Sequence, residues 1–428
     1  MNEQPQAPVE SHDDRVDILN LAGWGILEEH EEEHFYQFTV QLKDRLISCP
    51  FCQTDTIPYK FGERPHTFAD LPMHGKQVRI LARQRRYRCR NCRKTFLDPA
   101  SSMSEQHSAT QRLVNHIERE TLSMSSRTFL SLAHEIGMTE DTVRHIFDSC
   151  VKALEQARAL QAPATLGIDE LFLLGTPRCI LTDLTRRTVV DLLANRNQDT
   201  VIKWLRQLPE KEHIEVVAMD MWQPYRNAVR EVLPQASIVV DKFHVVKLAN
   251  GAIEQVRKTV RASLSEKQRR TLMHDRFILL RRRKDLKEKD VLILETWIEN
   301  FPVLGAAYTL KEAFYEIWEA STQEEAHKRY WAWFEQITPE VADAFVPIAL
   351  TVENWGDEIF AYFTHNGTIT NAFTEATNGT LKVVNRVGRG YSFSVIRAKI
   401  LFAGEIAQKY SRKRRRFQPE SLAGNEQG

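Results

Sequence analysis

Two cysteine pairs constrain this chain more than any other feature. Cys49-Pro-Phe-Cys52 and Cys89-Arg-Asn-Cys92 place four thiols in two knuckles, and four thiolates at that spacing can close a tetrahedral zinc sphere with no position left open for chemistry. Such a metal is structural, and the residues between the pairs must leave one point and return to it. Gly62, Pro65, Pro72 and Gly75 punctuate that stretch, while Gln77 to Cys89 reads as an extended strand, so a folded β-ribbon is expected there. A redox dithiol is the competing reading of a C-x-x-C pair. Two pairs fit metal binding in a reducing compartment better than a disulfide framework, and Cys150 and Cys179 read as buried small apolar residues.

The formal net charge of +1 conceals an uneven distribution. Asp13 to Glu33 is acidic, Arg79 to Lys94 is dense in Arg and Lys and holds no acid, and Arg412 to Arg416 is an unbroken basic run. Local basic patches point to a polyanionic partner. Arg85, Arg86, Arg88 and Arg90, on the basic strand, are the expected phosphate contacts. No stretch approaches the roughly eighteen uncharged apolar residues of a membrane span, and the N-terminus lacks the pattern of a signal peptide, so a cytoplasmic protein with no membrane partner is expected. At 428 residues the chain exceeds a single core and must be modular.

From His107 to about Ala159 apolar residues recur at three- and four-residue steps, a helical pattern. Within it Phe129 to Phe147 has the composition of a helix-turn-helix: small Ala133 for close packing, Gly137 to turn the chain, Thr139 to cap the second helix, and Val143 and Ile146 to bury against the first. Arg144 would lie on or near the exposed side of the second helix. A plain helical hairpin is the alternative, and the preceding basic ribbon favours DNA reading. After Pro163 the signal changes to three short β-runs and then strands alternating with helices, which implies a mixed sheet in an α/β layer. Val245 to Phe363 reads as a helical block, and Asn371 to Arg386 as one more helix.

Asp169 ends one apolar run, Leu166-Gly-Ile-Asp-Glu, and Asp220 ends another, Val216-Val-Ala-Met-Asp. Acids at the ends of adjacent strands can converge on a divalent ion, whose hard character suits carboxylate oxygen. Glu375, Asn378 and Lys382 share one face of the helix from Asn371, at i, i+3 and i+7. Glu170, Asp183, Asp191 and Asp241 compete with these acids. Glu170 should point away from Asp169 if the strand continues, Asp183 fits a turn, and Asp241 and His244 are read as packing beside the ligands or supporting them.

Gly167-Ile-Asp-Glu170, Met219-Asp-Met-Trp222 with Tyr225, Asp241-Lys-Phe-His244, and Thr374-Glu-Ala-Thr-Asn-Gly-Thr-Leu-Lys382 with Arg386 and Gly390-Tyr391 together resemble the DDE transposases of bacterial insertion sequences, in particular the ISL3 family. The chain departs from that pattern in having Ala376 after Glu375, with Asn378 two places on. The residue pattern and the resemblance together give a multidomain α+β protein: a lead-in segment (1–47) and a basic tail (409–428) from composition, and between them a zinc ribbon (48–100), a helix-turn-helix domain (105–160) and, as the resemblance implies, a ribonuclease-H-like α/β catalytic domain (163–250 and 364–408) interrupted by an all-helical insertion (251–363). The resemblance implies Asp169, Asp220 and Glu375 as catalytic ligands of two Mg²⁺ or Mn²⁺ ions, Lys382 and Arg386 beside the DNA, and a homodimer or larger assembly on the terminal repeats and target duplex. A transcription regulator would leave the acids without a task. A ribonuclease-H-like nuclease would use the same acids without strand transfer.

Overall fold

The computed structural model describes residues 18–411 apart from 47, 54, 55, 100, 101, 126, 366 and 389; the expected basic run at 412–416 lies outside the described residues. The chain divides into two compact units, Met1–Gln156 with Glu405–Gly428, and Ala157–Gly404.

In the first unit, β1 (Trp24–Glu31) and β2 (Phe35–Leu42) form an antiparallel pair, β3 (Tyr59–Met73) and β4 (Lys76–Arg88) a second, and β5 (Thr95–Leu97) adds to β4. The sheet order β1-β2-β4-β3 arises because β2 runs parallel to β4, Phe38 opposite Ile80 and Val40 opposite Ala82. Alternation on β4 turns Val78, Ile80 and Ala82 inward, where they bury with Trp24, Phe38, Val40 and Phe68. The described part of the lead-in and the ribbon thus share one sheet on either side of residue 47. A two-stranded ribbon is marginal by itself, and β1 and β2 widen it into a sheet that shares one apolar cluster.

Three helices follow: α1 (Gln111–Leu122), α2 (Phe129–Ile136) and α3 (Glu140–Ala157). Thr110 and Thr128 cap α1 and α2 through their hydroxyls, and Thr139 Oγ1 accepts from Thr142 N at the start of α3. Gly137 turns the chain in the left-handed region (φ 71°), where a Cβ would stand 2.1 Å from Gln77 Cδ on β4. Leu132, Ala133, Val143 and Ile146 are buried as the periodicity requires.

The second unit is built on a five-stranded sheet ordered β10-β9-β6-β7-β8. The strands β6 (Thr165–Leu173), β7 (Thr176–Asp183) and β8 (Thr188–Leu193) form an antiparallel meander, and β9 (Val216–Met219) and β10 (Ser237–Val240) run parallel to β6. The helices α4 (Gln198–Gln207) and α5 (Gln223–Val232) make the crossovers. Next come α6 (Lys242–Ala262), α7 (Glu266–His274), α8 (Arg276–Leu280), α9 (Glu288–Asn300), α10 (Pro302–Ile317), α11 (Gln323–Phe334) and α12 (Ala342–Thr364), then α13 (Ala372–Val387) and α14 (Phe393–Ser411). One apolar cluster runs without a break from Leu166 and Ile168 in the sheet to Phe345 and Ile359 in α12. The helical block thus shares the sheet's core. No helix among the described residues is long and apolar enough to cross a membrane.

Candidate active site and metal centre

Register brings the first two acids together. β6 pairs with β9 as far as Ile168 opposite Met219, so the next residues, Asp169 and Asp220, are neighbours at the point where β9 stops. Asp169 is not at a strand end, as expected, but within β6, because pairing with β7 carries the strand on to Leu173. Continuation of the pleat sends Glu170 the other way, into an ion pair with Arg196.

A hydrogen-bonded seam sets α13 against this sheet. Asn371 donates from its backbone N–H to Asp241 Oδ2 (2.6 Å) and from Nδ2 to the Ile168 carbonyl (3.3 Å); its Oδ1 accepts from Thr374 Oγ1 (2.6 Å), which meets Thr182 Oγ1 on β7 at 2.7 Å. One turn on, Asn378 Nδ2 donates to Asp169 Oδ2 at 2.7 Å. The seam needs Gly167, since a Cβ there would lie 2.4 Å from Thr182 Oγ1, 2.8 Å from Asn371 Oδ1 and 2.9 Å from Thr374 Oγ1. Gly167→Ala is accordingly expected to cost about 1–3 kcal/mol through overpacking, read as a lower urea midpoint. A midpoint equal to that of the parent chain would show that α13 is seated otherwise.

The acids fall into two overlapping clusters: Asp169, Asp220 and His244 in one, Asp241, His244 and Glu375 in the other, with ligand atoms in each within 4.8 Å of one another. Burial, and then the adjacent Asp220 carboxylate, push the Asp169 carboxyl up to about 8. Burial also raises Glu375, with Asp241 adding to it. For His244 burial opposes the charged form, but Asp220, 3.0 Å from Nδ1, outweighs it and holds the imidazole above its usual value. Asn378 Oδ1 is buried without a hydrogen-bond partner, and Asp220 Oδ1, also buried, faces His244 Nδ1 at 3.0 Å. Crowded acids with an unmet oxygen acceptor beside them suit a divalent cation of hard character.

Asp241 is used differently. It caps α6, Oδ1 accepting from Phe243 N at 2.7 Å, while Oδ2 takes the Asn371 N–H. Asp191 is held by Trp204 Nε1 and Arg397 Nε, both at 2.9 Å, and Asp183 accepts from Arg186 N in a turn at 2.8 Å.

In the first unit the four cysteines Cys49, Cys52, Cys89 and Cys92 converge, with Sγ atoms 3.7 Å apart in the Cys49–Cys92 and Cys52–Cys89 pairs. Zinc–sulfur bonds of about 2.3 Å in a tetrahedron require sulfur separations of about 3.8 Å. The donor set fits structural zinc. The Cys92 N–H, 3.5 Å from Cys89 Sγ, leads in drawing that thiol down to about 7, toward the thiolate a metal requires.

Comparison with known families adds sequence kinship to this geometry. The transposase family of ISL3 DDE enzymes matches residues 166–400, more than half of the chain. The chain belongs to that family. A zinc-finger description for transposases of IS204, IS1001, IS1096 and IS1165 matches residues 45–92, across the four cysteines. The transposase for insertion sequence element IS1001 of Bordetella parapertussis is 25% identical over 329 residues, covering 75% of this chain and 80% of that protein.

Not every cation of this ISL3 transposase stands where the strand pattern suggested. Arg85 is corrected: it is buried, 6% exposed, with Nε on Asp98 Oδ2 at 2.8 Å and a further N–H on the Leu42 carbonyl, so its guanidinium holds the sheet and does not face a phosphate. Arg86 and Arg90 are exposed and Arg88 half-exposed; Arg86 and Arg88 lie over the Phe61 ring and Arg90 over Tyr59. Arg144 is shared between Glu140 Oε1 (2.7 Å) and the Phe129 ring. Lys382 and Arg386 are exposed on α13. Sequence reading assigned no role to Asn371, Thr374 or Thr182, although Thr374 stands in the quoted motif and Asn371 at the start of its helix. Polar residues on the buried side of α13, one and four places before Glu375, were the available signal.

Proposed function

We propose that the chain binds the terminal inverted repeats of an insertion sequence and, with Asp169, Asp220 and Glu375 as ligands of two Mg²⁺ or Mn²⁺ ions, cuts the ends and joins them to target DNA. The observation that carries this reading is the register match that sets Asp169 beside Asp220, with Glu375 borne on a helix hydrogen-bonded to the same strand. An antiparallel meander flanked by two strands parallel to its first, in the order β10-β9-β6-β7-β8, supports a ribonuclease-H-like assignment, and the capped α2–Gly137–α3 pair supports a helix-turn-helix.

Bound divalent ions supply charge neutralisation on the attacking and leaving oxygens of a phosphodiester, so no protein nucleophile is required. Asn378 fixes the Asp169 carboxylate through Oδ2, and Oδ1, which accepts from Glu170 N–H, is the oxygen placed for a ligand. His244 lies between the two clusters and orients Asp220. Arg86, Arg88 and Arg90 meet backbone phosphates, Arg144 contributes to reading the repeat, and Lys382 and Arg386 line the DNA path next to Glu375. Repeat DNA and target duplex are the partners, and a homodimer or larger assembly forms on them.

End joining is the discriminating assay. Incubated with Mg²⁺, a labelled duplex carrying the element's end and a supercoiled target plasmid, the protein is expected to yield label covalently attached to the plasmid. Cut ends without any joined product would identify a nuclease instead, and repeat binding with no cutting would identify a regulator.

A further inference from the structure

In the same unit as the acids lies a cleft of about 610 Å³ to which the proposed reaction assigns no task. Arg178 on β7, Arg196 in the loop before α4, and Trp222 at the start of α5 line it. Trp222 is two residues past Asp220, and its N–H donates to the Asp220 carbonyl at 2.7 Å. The residue is 37% exposed, and the Arg196 guanidinium covers its ring 4.1 Å from the centroid. Arg196 is itself fixed by Glu170, the neighbour of Asp169. A large ring is thus braced on one side, two residues along the chain from Asp220.

Arg178 brings charge of a different kind. Its guanidinium stacks 4.7 Å from the centroid of Phe393 and donates to the Ala194 carbonyl, while its Nε is buried with no hydrogen-bond partner. Among the described residues it makes no ion pair. A fixed cation without an acidic partner among the described residues can take an anion, and a braced, part-exposed indole in the same cleft calls for a flat apolar face. One chemical unit offers both.

We propose that this cleft binds a single unpaired nucleotide of the DNA strand being cut, the base stacked on Trp222 and the phosphate held by Arg178. The proposal rests on the DNA-cutting reading above. Inside a duplex both faces of a base are covered by its neighbours, so only a nucleotide out of the stack can offer a face to the indole. Because Trp222 follows Asp220 so closely, the captured nucleotide lies next to the phosphate presented to the acids. Opening of the strand at that point then becomes part of substrate recognition.

The test uses the full chain carrying 5-fluorotryptophan, in EDTA, with thymidine 3′,5′-bisphosphate as the probe. Of the fluorine resonances from the 8 tryptophans, the one removed by Trp222→Phe is expected to shift on titration, and Arg178→Ala to weaken that titration roughly tenfold or more. Inorganic phosphate shifting the resonance with equal affinity, or no shift at saturation, would overturn the proposal. In a second arm, the parent chain is expected to prefer a duplex with one unpaired nucleotide at the cutting position over the fully paired duplex. Trp222→Phe should keep that preference and Trp222→Leu, checked for an unchanged melt, should reduce it by roughly tenfold or more, the range found for base–aromatic stacking. A preference that survives Trp222→Leu sinks the idea. If the chain cuts no DNA yet the Trp222 resonance shifts with the bisphosphate alone, the cleft stands and the strand-cutting reading fails.

Discussion

Asp169→Asn, Asp220→Asn and Glu375→Gln are each expected to lower Mg²⁺-dependent cutting of end DNA by roughly a thousandfold or more, since each removes a ligand from a centre that contributes several kcal/mol of transition-state charge stabilisation. Binding of end DNA should change little, because the basic ribbon and the α2–α3 pair lie in the other unit. Asp169→Asn carries a second, opposite sign. Burial and Asp220 raise the native carboxyl to about 8, well above the value of about 3.9 for an unfolded chain. The ionised form is therefore penalised in the native state at every pH above the unfolded value, with the full penalty reached only above the native one. In EDTA at neutral pH the neutral Asn should melt higher than the parent, although it is inactive. Asp241→Asn separates the rivals: both Asp241 oxygens accept backbone N–H groups, so its loss should lower the melting temperature while some cutting persists. Normal cutting by Asp220→Asn together with a dead, fully stable Asp241→Asn would move the metal site to Asp241.

Removing zinc should have an effect of comparable size on the other unit. Structural zinc in small domains binds with about 10–16 kcal/mol of apparent free energy, as much as the whole stability of a typical domain, about 5–15 kcal/mol. Cys89→Ser, or a strong chelator, is therefore expected to unfold the end of the β3–β4 ribbon that the knuckles hold and to abolish DNA binding. The second unit has a separate apolar core and should keep its own melting transition. Metal analysis of the purified protein checks the cause: about one zinc per parent chain and far less in Cys89→Ser. Equal zinc in both, or none in the parent, would remove the site.

What could be read from the residues alone was whatever local spacing encodes. Two C-x-x-C pairs imply a four-thiolate centre, alternation along Gln77 to Cys89 implies a strand, and the i, i+3, i+7 placement of Glu375, Asn378 and Lys382 implies one helix face, because each depends on the geometry of a few consecutive residues. The family resemblance was carried by short motifs of the same kind. Tertiary structure decided the rest. Nothing near Arg85 in the chain reveals that it is buried on Asp98 while Arg86 is exposed, since that follows from β5 and the segment after β2 closing over one edge of the sheet. The extension of β6 past Asp169 was set by its pairing with β7, and the union of lead-in and ribbon by the parallel pairing of β2 with β4. The β-run pattern alone does not tell Asp241 from Asp220, as each follows a short β-run, and it was the motif resemblance that favoured Asp220. They part company because Asp241 faces two backbone donors, one brought from α13 across 130 residues, whereas the buried Oδ1 of Asp220 faces a side chain, the His244 imidazole at 3.0 Å. Which carboxylate is satisfied by the fold and which remains open to a ligand is a property of long-range partners, and spacing along the chain does not contain it.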